Sequence, residues 1–190
     1  MGDLSTAIVV IATSFLLGTL AMHWTADHLV LWQSPVTRPS LLSAHIYYSH
    51  TLVSMPEYFT IGQYAVGTLG GVMLLAKVLG GRESNWLFDG ASLFLYGASG
   101  IVYLQKIVPS LRALPATSPQ PAADPMDPKD NVLLPLRDLA SSNAVLAVAL
   151  VGVLILQSGQ YYSERLERRE RVEENEARLR RKRRKLERAQ

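Results

Sequence analysis

The sequence predicts an all-α fold, a bundle of four transmembrane helices that continues into a charged helical tail. Apolar residues are concentrated in four runs, each long enough to cross about 30 Å of hydrocarbon as a helix. Charge is concentrated at the C-terminus, where residues 164–190 hold 12 of the 19 Lys and Arg residues. We therefore divide the chain into a four-span membrane domain, 1–162, and a basic cytosolic tail, 163–190.

The four spans are predicted at residues 4–22, 59–79, 87–108 and 139–157. Within them, ionisable side chains occur only close to a span end, as Lys77, Asp89 and Lys106. We expect Lys77 to extend along its helix and place its ammonium group in the membrane surface. Ion-coupled transporters and proton relays need ionisable groups at depth, so the sequence disfavours these classes.

The orientation of the spans is predicted from the cations that follow the fourth one. Arg165, Arg168, Arg169 and Arg171 lie directly after it, and Lys and Arg near a span are retained in the cytosol. The C-terminus is therefore expected to be cytosolic, and with an even number of spans the N-terminus is cytosolic too. The connections 23–58 and 109–135 then lie in the lumen.

The two long connections differ in composition. The stretch 109–135 contains seven of the ten prolines, which predicts a lumenal linker without helix or strand across 113–129. The first connection instead carries aromatic residues that favour the membrane interface, and we expect it to fold back onto that surface. These are Trp24, Trp32, Tyr47, Tyr48 and Tyr58.

Candidate catalytic and metal-binding residues are few. The histidines His23 and His28, and likewise His45 and His50, are five residues apart, which does not match the i, i+4 spacing of helical zinc sites. The chain has no cysteine and no recognisable phosphate loop or nucleophile motif, so we predict no cofactor, no metal and no enzymatic activity. The alternative is an ER enzyme or enzyme scaffold in lipid or sterol metabolism, with His45, His50 and Glu57 as acid–base groups.

Small residues are abundant in the spans. Gly67 and Gly71 are four residues apart in the second span, and Gly97 and Gly100 interrupt the third. In lipid, small residues allow helices to approach closely. This pattern has two interpretations: the spans pack on each other, or part of the surface binds helices of another protein. For the second interpretation, the candidate contact residues are Gly67, Gly71, Gln63 and Ser92.

The tail is predicted to be a solvated helix with a basic end. Four acid–base pairs have the favourable i, i+4 spacing, with Glu164, Glu167, Glu174 and Glu176 each preceding an arginine. The basic block resembles a nucleic-acid-binding patch, but behind four spans it fits an anionic lipid surface or an acidic coat protein better. It consists of Arg180, Arg181, Lys182, Arg183, Arg184 and Lys185. A third functional class is a basic scaffold that tethers cytosolic partners. If the chain were such a scaffold, the tail alone would be sufficient for its function.

Three short sequence segments resemble those of one known family, the fungal packaging chaperones of the ER membrane that serve amino-acid permeases. The resemblance covers roughly residues 5–165. The segments are 14–18 (SFLLG), 91–96 (ASLFLY) and 156–162 (LQSGQYY). The last is the most specific of the three and contains Gln157, Gly159, Gln160, Tyr161 and Tyr162.

The resemblance implies a multi-pass ER protein with four spans and a hydrophilic cytosolic tail. It implies that the chain keeps newly inserted amino-acid permeases from aggregating and promotes their loading into coated vesicles bound for the Golgi. It further implies that the membrane domain shields client helices and that the tail contacts coat components. No catalytic residue is carried over. The basic tail and the proline-rich linker depart from the family pattern.

Overall fold

The computed structural model describes residues 2–53, 55–80, 86–115 and 132–187, and contains helices but no strand within them. Two π-helical turns, Ser49–Val53 and Tyr103–Ile107, extend α2 and α4. The helices are α1 (Gly2–Leu31), α2 (Arg38–Tyr48), α3 (Glu57–Leu79), α4 (Trp86–Val102), α5 (Val108–Ala113) and α6 (Leu133–Glu187).

Four of these helices, or helix runs, are long and apolar enough to cross a membrane: Leu4–Leu31, Glu57–Leu79, Trp86–Ala113 and the first part of α6. The predicted all-α, four-span fold is therefore confirmed. Many large apolar side chains lie on the outside of the bundle, among them Ile101, Val148 and Ile155. A surface of this kind suits lipid, since a water-soluble protein rarely exposes so much contiguous apolar area.

The long helices run antiparallel in chain order, which gives the bundle two distinct ends. At the termini end, Thr6 of α1, Lys77 of α3 and Gln157 of α6 meet. At the loop end, Asp27 of α1 contacts Asn143 of α6. Between the ends, α1 and α4 pack on α6, while α3 packs mainly on α1 and α4.

Two clusters of buried apolar side chains fill the bundle. One lies at the loop end and joins α1, α2 and α6 through residues such as Val30, Leu41 and Leu139. The other lies nearer the termini end, where Val9, Leu74, Tyr96, Leu150 and Val153 meet. α2 is thus part of the folded core, because Leu41, Ala44 and Tyr48 are all buried.

The first connection differs from the prediction in one respect. Helix α1 continues to Leu31 rather than ending at 22, and α2 then packs against α1 and α6. Tyr48 is fully buried and does not lie on an outer surface as expected, whereas Trp24 and Trp32 remain exposed. Helix α2 begins at Arg38, where the side-chain oxygen of Thr37 accepts a hydrogen bond from the amide of Ser40.

The third connection is described only at its edges. The predicted third span ends at 108, but the helical run continues through α5 to Ala113. Pro109 lies at the start of α5, directly after the π-helical turn Tyr103–Ile107. Most of the predicted linker, residues 116–131, lies outside the described residues.

The fourth span and the tail form one uninterrupted helix, α6. All four predicted ion pairs of the tail are present: Glu164–Arg168 at 3.2 Å, Glu167–Arg171 at 3.4 Å, Glu174–Arg178 at 3.8 Å and Glu176–Arg180 at 3.5 Å. Each exposed pair of this type stabilises a helix by only about 0.3–0.5 kcal/mol. Beyond them, Arg180, Arg181, Lys182 and Arg184 are exposed, while the side chains of Arg183 and Lys185 lie outside the described part.

Candidate functional site

A buried ion pair lies at the termini end of the bundle. The ammonium nitrogen of Lys77 is 2.8 Å from Oδ1 of Asp89, and the two side chains are only 8% and 6% exposed. The prediction that Lys77 extends to the membrane surface is therefore wrong. The reason is that Asp89, in the first turn of α4, faces Lys77 inside the bundle and neutralises it there.

Two glutamines of α6 complete the surroundings of this ion pair. Lys77 donates to Oε1 of Gln157 at 2.6 Å and to Oε1 of Gln160 at 3.0 Å, and also reaches Oγ1 of Thr6 at 3.0 Å. The amide nitrogens of both glutamines point away from Lys77, towards residues of α4. Gln160 Nε2 donates to Asp89 at 3.1 Å, and Gln157 Nε2 donates to Ser92 at 2.9 Å.

We call this group the polar clasp: Thr6, Lys77, Asp89, Ser92, Gln157 and Gln160. It connects all four long helices, and each charge within it has an opposite charge and amide dipoles as partners. A buried ion pair is tolerated when further hydrogen bonds satisfy its remaining donors and acceptors, as they do here.

The polar clasp gives a structural role to two residues of the motif at 156–162. Gln157 and Gln160 belong to the clasp, and Gly159 faces Phe88 of α4, whose ring would lie 3.4 Å from a Cβ atom at that position. Tyr161 and Tyr162 are more than half exposed, and the guanidinium of Arg165 lies over the Tyr161 ring at 5.8 Å.

A second polar group lies at the loop end. The Tyr48 hydroxyl donates to Asp27, and Nδ2 of Asn143 lies 3.1 Å from both Asp27 Oδ2 and the Tyr48 oxygen. Burial and the charge of Asp27 raise the pKa of Tyr48 far above its usual value, so its hydroxyl remains a donor. Beside it, Nδ1 of His23 is 3.1 Å from the Tyr47 hydroxyl.

Between the two polar groups lies an open cavity of about 360 Å³, which we call the α3–α4 groove. Its wall is mostly apolar, and α1, α3, α4 and α6 all contribute. Several lining residues are exposed, so the groove opens to the outside between α3 and α4. They are Tyr64, Thr68, Gly97, Gly100 and Leu104.

The glycines of the spans divide into two groups. A Cβ atom on Gly70 would lie 2.4 Å from the Tyr96 hydroxyl and 3.1 Å from Cβ of Ala12, and one on Gly152 would lie 2.9 Å from Cδ1 of Leu95, so both glycines face side chains of neighbouring helices. A Cβ atom on Gly67, Gly97 or Gly100 would meet no atom within 4 Å. These three glycines line the α3–α4 groove, whereas Gly18, Gly62 and Gly90, which also would have no atom within 4 Å of an added Cβ, lie outside it.

The four residues predicted to contact another protein's helices lie in different surroundings. Gln63 and Gly67 line the α3–α4 groove. A Cβ atom on Gly71 would lie 3.6 Å from the Tyr96 ring, so that position faces a neighbouring helix. Ser92 is fully buried and bonded to Gln157 within the polar clasp.

The candidate acid–base residues of the enzyme alternative lie in unlike surroundings. His45 is buried, with Nε2 2.8 Å from the carbonyl oxygen of Pro115, while His50 and Glu57 are exposed. Across the described ranges, no three His, Cys, Asp or Glu residues are grouped so that they could hold a metal ion.

Sequence reasoning missed the polar clasp, although a signal for it was present. Lys77 near the end of one predicted span and Asp89 near the start of the next are opposite charges joined by a short turn. In an antiparallel hairpin such residues lie at the same depth, which favours an ion pair over two separate surface charges. The partner amides Gln157 and Gln160 gave no such signal, because their helix is distant in the sequence.

Comparison with known proteins identifies one family. The family model SHR3_chaperone, described as ER membrane protein SH3, matches residues 1–190, which is the whole chain. No curated protein and no solved structure matches. The family match confirms the resemblance to the ER-membrane packaging chaperones that the short sequence segments indicated.

Proposed function

The chain belongs to the SHR3 chaperone family of ER membrane proteins, and we propose that it holds the helices of its clients in the α3–α4 groove. Its function is that of the family: an ER membrane chaperone that assists the packaging of amino-acid permeases. The observation that carries the proposed binding site is the group of three glycines, Gly67, Gly97 and Gly100, where an added Cβ atom would have no atom of a neighbouring described helix within 4 Å.

The groove suits a helix for two physical reasons. Lipid removes the hydrophobic driving force between helices, so association in the membrane depends on close packing and on hydrogen bonds. Glycines on both α3 and α4 let a third helix bring its backbone near, and the apolar wall of the groove offers van der Waals contact along its length. A half-assembled permease exposes helix faces that its own later spans will cover, and these faces fit such a groove.

Filling the groove tests this proposal. Leucine in place of Gly67 or Gly100 meets no neighbour at its Cβ atom and projects into the space that the client helix needs. We expect each variant to accumulate at the normal level in the ER, while delivery of amino-acid permeases to the cell surface falls by about 10-fold, the effect of losing about 1.4 kcal/mol of binding.

The matched control is Gly18→Leu, since Gly18 also has no neighbour within 4 Å but lies outside the groove, on the exposed side of α1. Permease delivery should remain normal in this variant. If Gly67→Leu and Gly100→Leu deliver permeases as well as Gly18→Leu does, the α3–α4 groove is not the client site.

We further propose that both termini are cytosolic and that the basic end of α6 contacts vesicle coat components. The support is the density of cations after the fourth span and the rigid, continuous helix that presents them. A glycosylation acceptor placed at 120 should be modified and one appended after 190 should not.

Replacing all six residues 180–185 by glutamine should leave permeases unaggregated in the ER but reduce their entry into vesicles. Normal entry would refute coat contact.

We propose no catalytic role for this chain. His50 and Glu57 are exposed and do not form a group with the buried His45, which supports that proposal. Alanine at both His50 and Glu57 should leave permease delivery and the lipid and sterol content of the cells unchanged. A changed lipid or sterol profile would favour the enzyme alternative.

A further inference from the structure

Two buried polar side chains line the loop end of the α3–α4 groove, His23 of α1 and Asn143 of α6. His23 is 9% exposed and Asn143 is 4% exposed. They belong to one polar group, because the rings of His23 and Tyr48 lie 5.8 Å apart and Asn143 donates to the Tyr48 oxygen. The groove therefore combines a mostly apolar wall with a buried polar group at one end.

The hydrogen bonds around His23 determine which of its ring nitrogens is an acceptor. The Tyr47 hydroxyl donates its only hydrogen to the carbonyl oxygen of Met22 at 2.7 Å. Nδ1 of His23 lies 3.1 Å from the same hydroxyl oxygen, so Nδ1 must be the donor in that contact. In the neutral ring, Nε2 is then an acceptor, and no described residue donates to it.

Asn143 places a second acceptor at the same end. Its Nδ2 donates to Asp27 and Tyr48, which fixes the orientation of the amide because a carboxylate only accepts. Its Oδ1 receives no hydrogen bond from a described residue. Neither this oxygen nor Nε2 of His23 is sealed inside the bundle, in contrast to the unpartnered Nδ1 of His45. Both atoms are thus available to a ligand that carries a hydrogen-bond donor.

His23 lies at the depth of a lipid headgroup. About 25 Å of helix separates it from Thr6 of the polar clasp, at about 1.5 Å per residue. The hydrocarbon core of a bilayer is about 30 Å thick, so His23 is near one membrane surface when the clasp is near the other. The apolar wall continues from His23 towards the middle of the bundle, along residues such as Leu146 and Leu150. A ligand with its polar group at His23 therefore has its body at hydrocarbon depth.

The chemistry of this end narrows the ligand to a neutral lipid with a hydroxyl group. Water satisfies the acceptors but leaves the apolar wall uncovered, and the Asp27 carboxylate disfavours an anionic phosphate. A Ser or Thr hydroxyl of a membrane helix has its hydrogen engaged already, as Thr13 and Thr19 show by donating to carbonyl oxygens of their own helix. A sterol has one hydroxyl and a rigid, compact body, which suits a cavity of about 360 Å³ and loses little conformational freedom on binding.

We propose that the α3–α4 groove binds a membrane sterol, whose hydroxyl donates to Nε2 of His23 while its ring system covers the apolar wall. Of the two acceptors, the imidazole nitrogen is the more basic, so it takes the hydrogen. This inference goes beyond the proposed function, because it concerns the groove when no client occupies it. The sterol covers the wall in that state, and a client helix competes with it for the same surface.

The test measures sterol binding to the full-length protein in phosphatidylcholine nanodiscs that contain no client. The probe is a sterol with a diazirine in its ring system and a free hydroxyl. Its crosslinking is competed with cholestanol, with the methyl ether of cholestanol and with the corresponding ketone, cholestanone. The ether and the ketone keep the ring system but have no hydrogen to donate. Dioleoylglycerol is a fourth competitor, with a hydroxyl on a flexible two-chain body.

We expect cholestanol to compete about three- to ten-fold better than the ether, the ketone and dioleoylglycerol, the range that one hydrogen bond supplies. The crosslinked peptides should come from groove-lining segments such as 97–107 and 143–150. His23→Phe keeps a ring but removes the acceptor, so all three sterols should compete equally. His28→Phe is the matched control on the same helix, because His28 is exposed and lies outside the groove, and it should keep the preference for cholestanol.

The comparison of ligands on the natural sequence decides the matter even if His23→Phe does not fold. Equal competition by cholestanol, its ether and its ketone would refute donation to His23. Equal competition by dioleoylglycerol and cholestanol would refute a sterol, and crosslinking that does not saturate, or that maps outside the groove, would refute a lipid site there. None of these results bears on the client site, which permease delivery in Gly67→Leu and Gly100→Leu tests separately.

Discussion

Polar and small residues have different surroundings in two regions of the membrane bundle, the polar clasp and the α3–α4 groove. In the polar clasp at the termini end, the Lys77 and Asp89 charges and both glutamine amides have partners, and Gly159 faces the ring of Phe88. In the α3–α4 groove, Gln63 has no hydrogen-bonding partner among the described residues and Gly67 faces open space. Residues of the same two types thus complete the fold in one region and remain available in the other.

This difference fits a chaperone. A protein that binds unfinished membrane proteins needs a surface that stays unsatisfied until a client arrives, and it needs a rigid frame to hold that surface open. The polar clasp supplies part of the frame, because it joins α3 and α4 to α6 through Lys77, Asp89 and Gln157. The cost of the open groove is then balanced by packing elsewhere, which is the usual relation between a functional site and its scaffold.

The largest expected effect comes from breaking the polar clasp. Lys77→Met leaves the Asp89 carboxylate buried without its cation, and loss of one partner of a buried ion pair costs about 3–5 kcal/mol. The free energy of unfolding, measured by thermal denaturation in detergent, should fall by that amount.

Two further variants decide whether the charge itself is responsible. The double variant Lys77→Met with Asp89→Leu removes both charges and should recover much of the loss, since apolar replacement of a whole buried pair is often neutral. Lys106→Met, at an exposed lysine, should have no effect. Equal stability of Lys77→Met and Lys106→Met would mean that the clasp does not hold the bundle together.

A smaller effect distinguishes the two kinds of glutamine. Gln157→Leu deprives Lys77, Asp89 and Ser92 of a shared partner, and hydrogen bonds to charged groups are worth about 1.5–3 kcal/mol. Gln63→Leu removes no hydrogen bond to the described residues and should change the free energy of unfolding by less than about 0.5 kcal/mol. A loss of more than 1 kcal/mol in Gln63→Leu would show that Gln63 is structural, which would remove it as a client contact.

Sequence alone predicted the spans well and the site only in part. An apolar run of about 20 residues is a local property, so the four long helices and the charged tail could be located from composition. The surroundings of Lys77 depend on which helices are neighbours, and the distance in sequence from Lys77 to Gln157 carries no such information. The same limit applies to the glycines, because Gly67, Gly70 and Gly71 are indistinguishable until the position of Tyr96 is known.

The smallest expected effect compares two of these glycines, which are less than one helical turn apart. In Gly70→Ala, the new Cβ atom would lie 2.4 Å from the Tyr96 hydroxyl and 3.1 Å from Cβ of Ala12. The Tyr96 side chain must shift, which disturbs the 3.0 Å hydrogen bond that its hydroxyl donates to the carbonyl oxygen of Gly67. Overpacking of this kind costs about 1–3 kcal/mol. Gly67→Ala adds a methyl group in open space and favours the helix, so stability should be unchanged or rise by up to about 1 kcal/mol.

The Tyr96→Phe background separates the clash from other effects of these substitutions. Removing the hydroxyl removes the atom that Gly70→Ala would meet first, so Gly70→Ala should cost less in Tyr96→Phe than in the natural sequence, while Gly67→Ala should behave alike in both. Thermal denaturation in detergent of the three single variants and the two double variants, compared with the natural sequence, measures this coupling. If Gly67→Ala proved as destabilising as Gly70→Ala, the space beside Gly67 would be filled in the folded protein, and the contrast between a completed frame and an open groove would not hold.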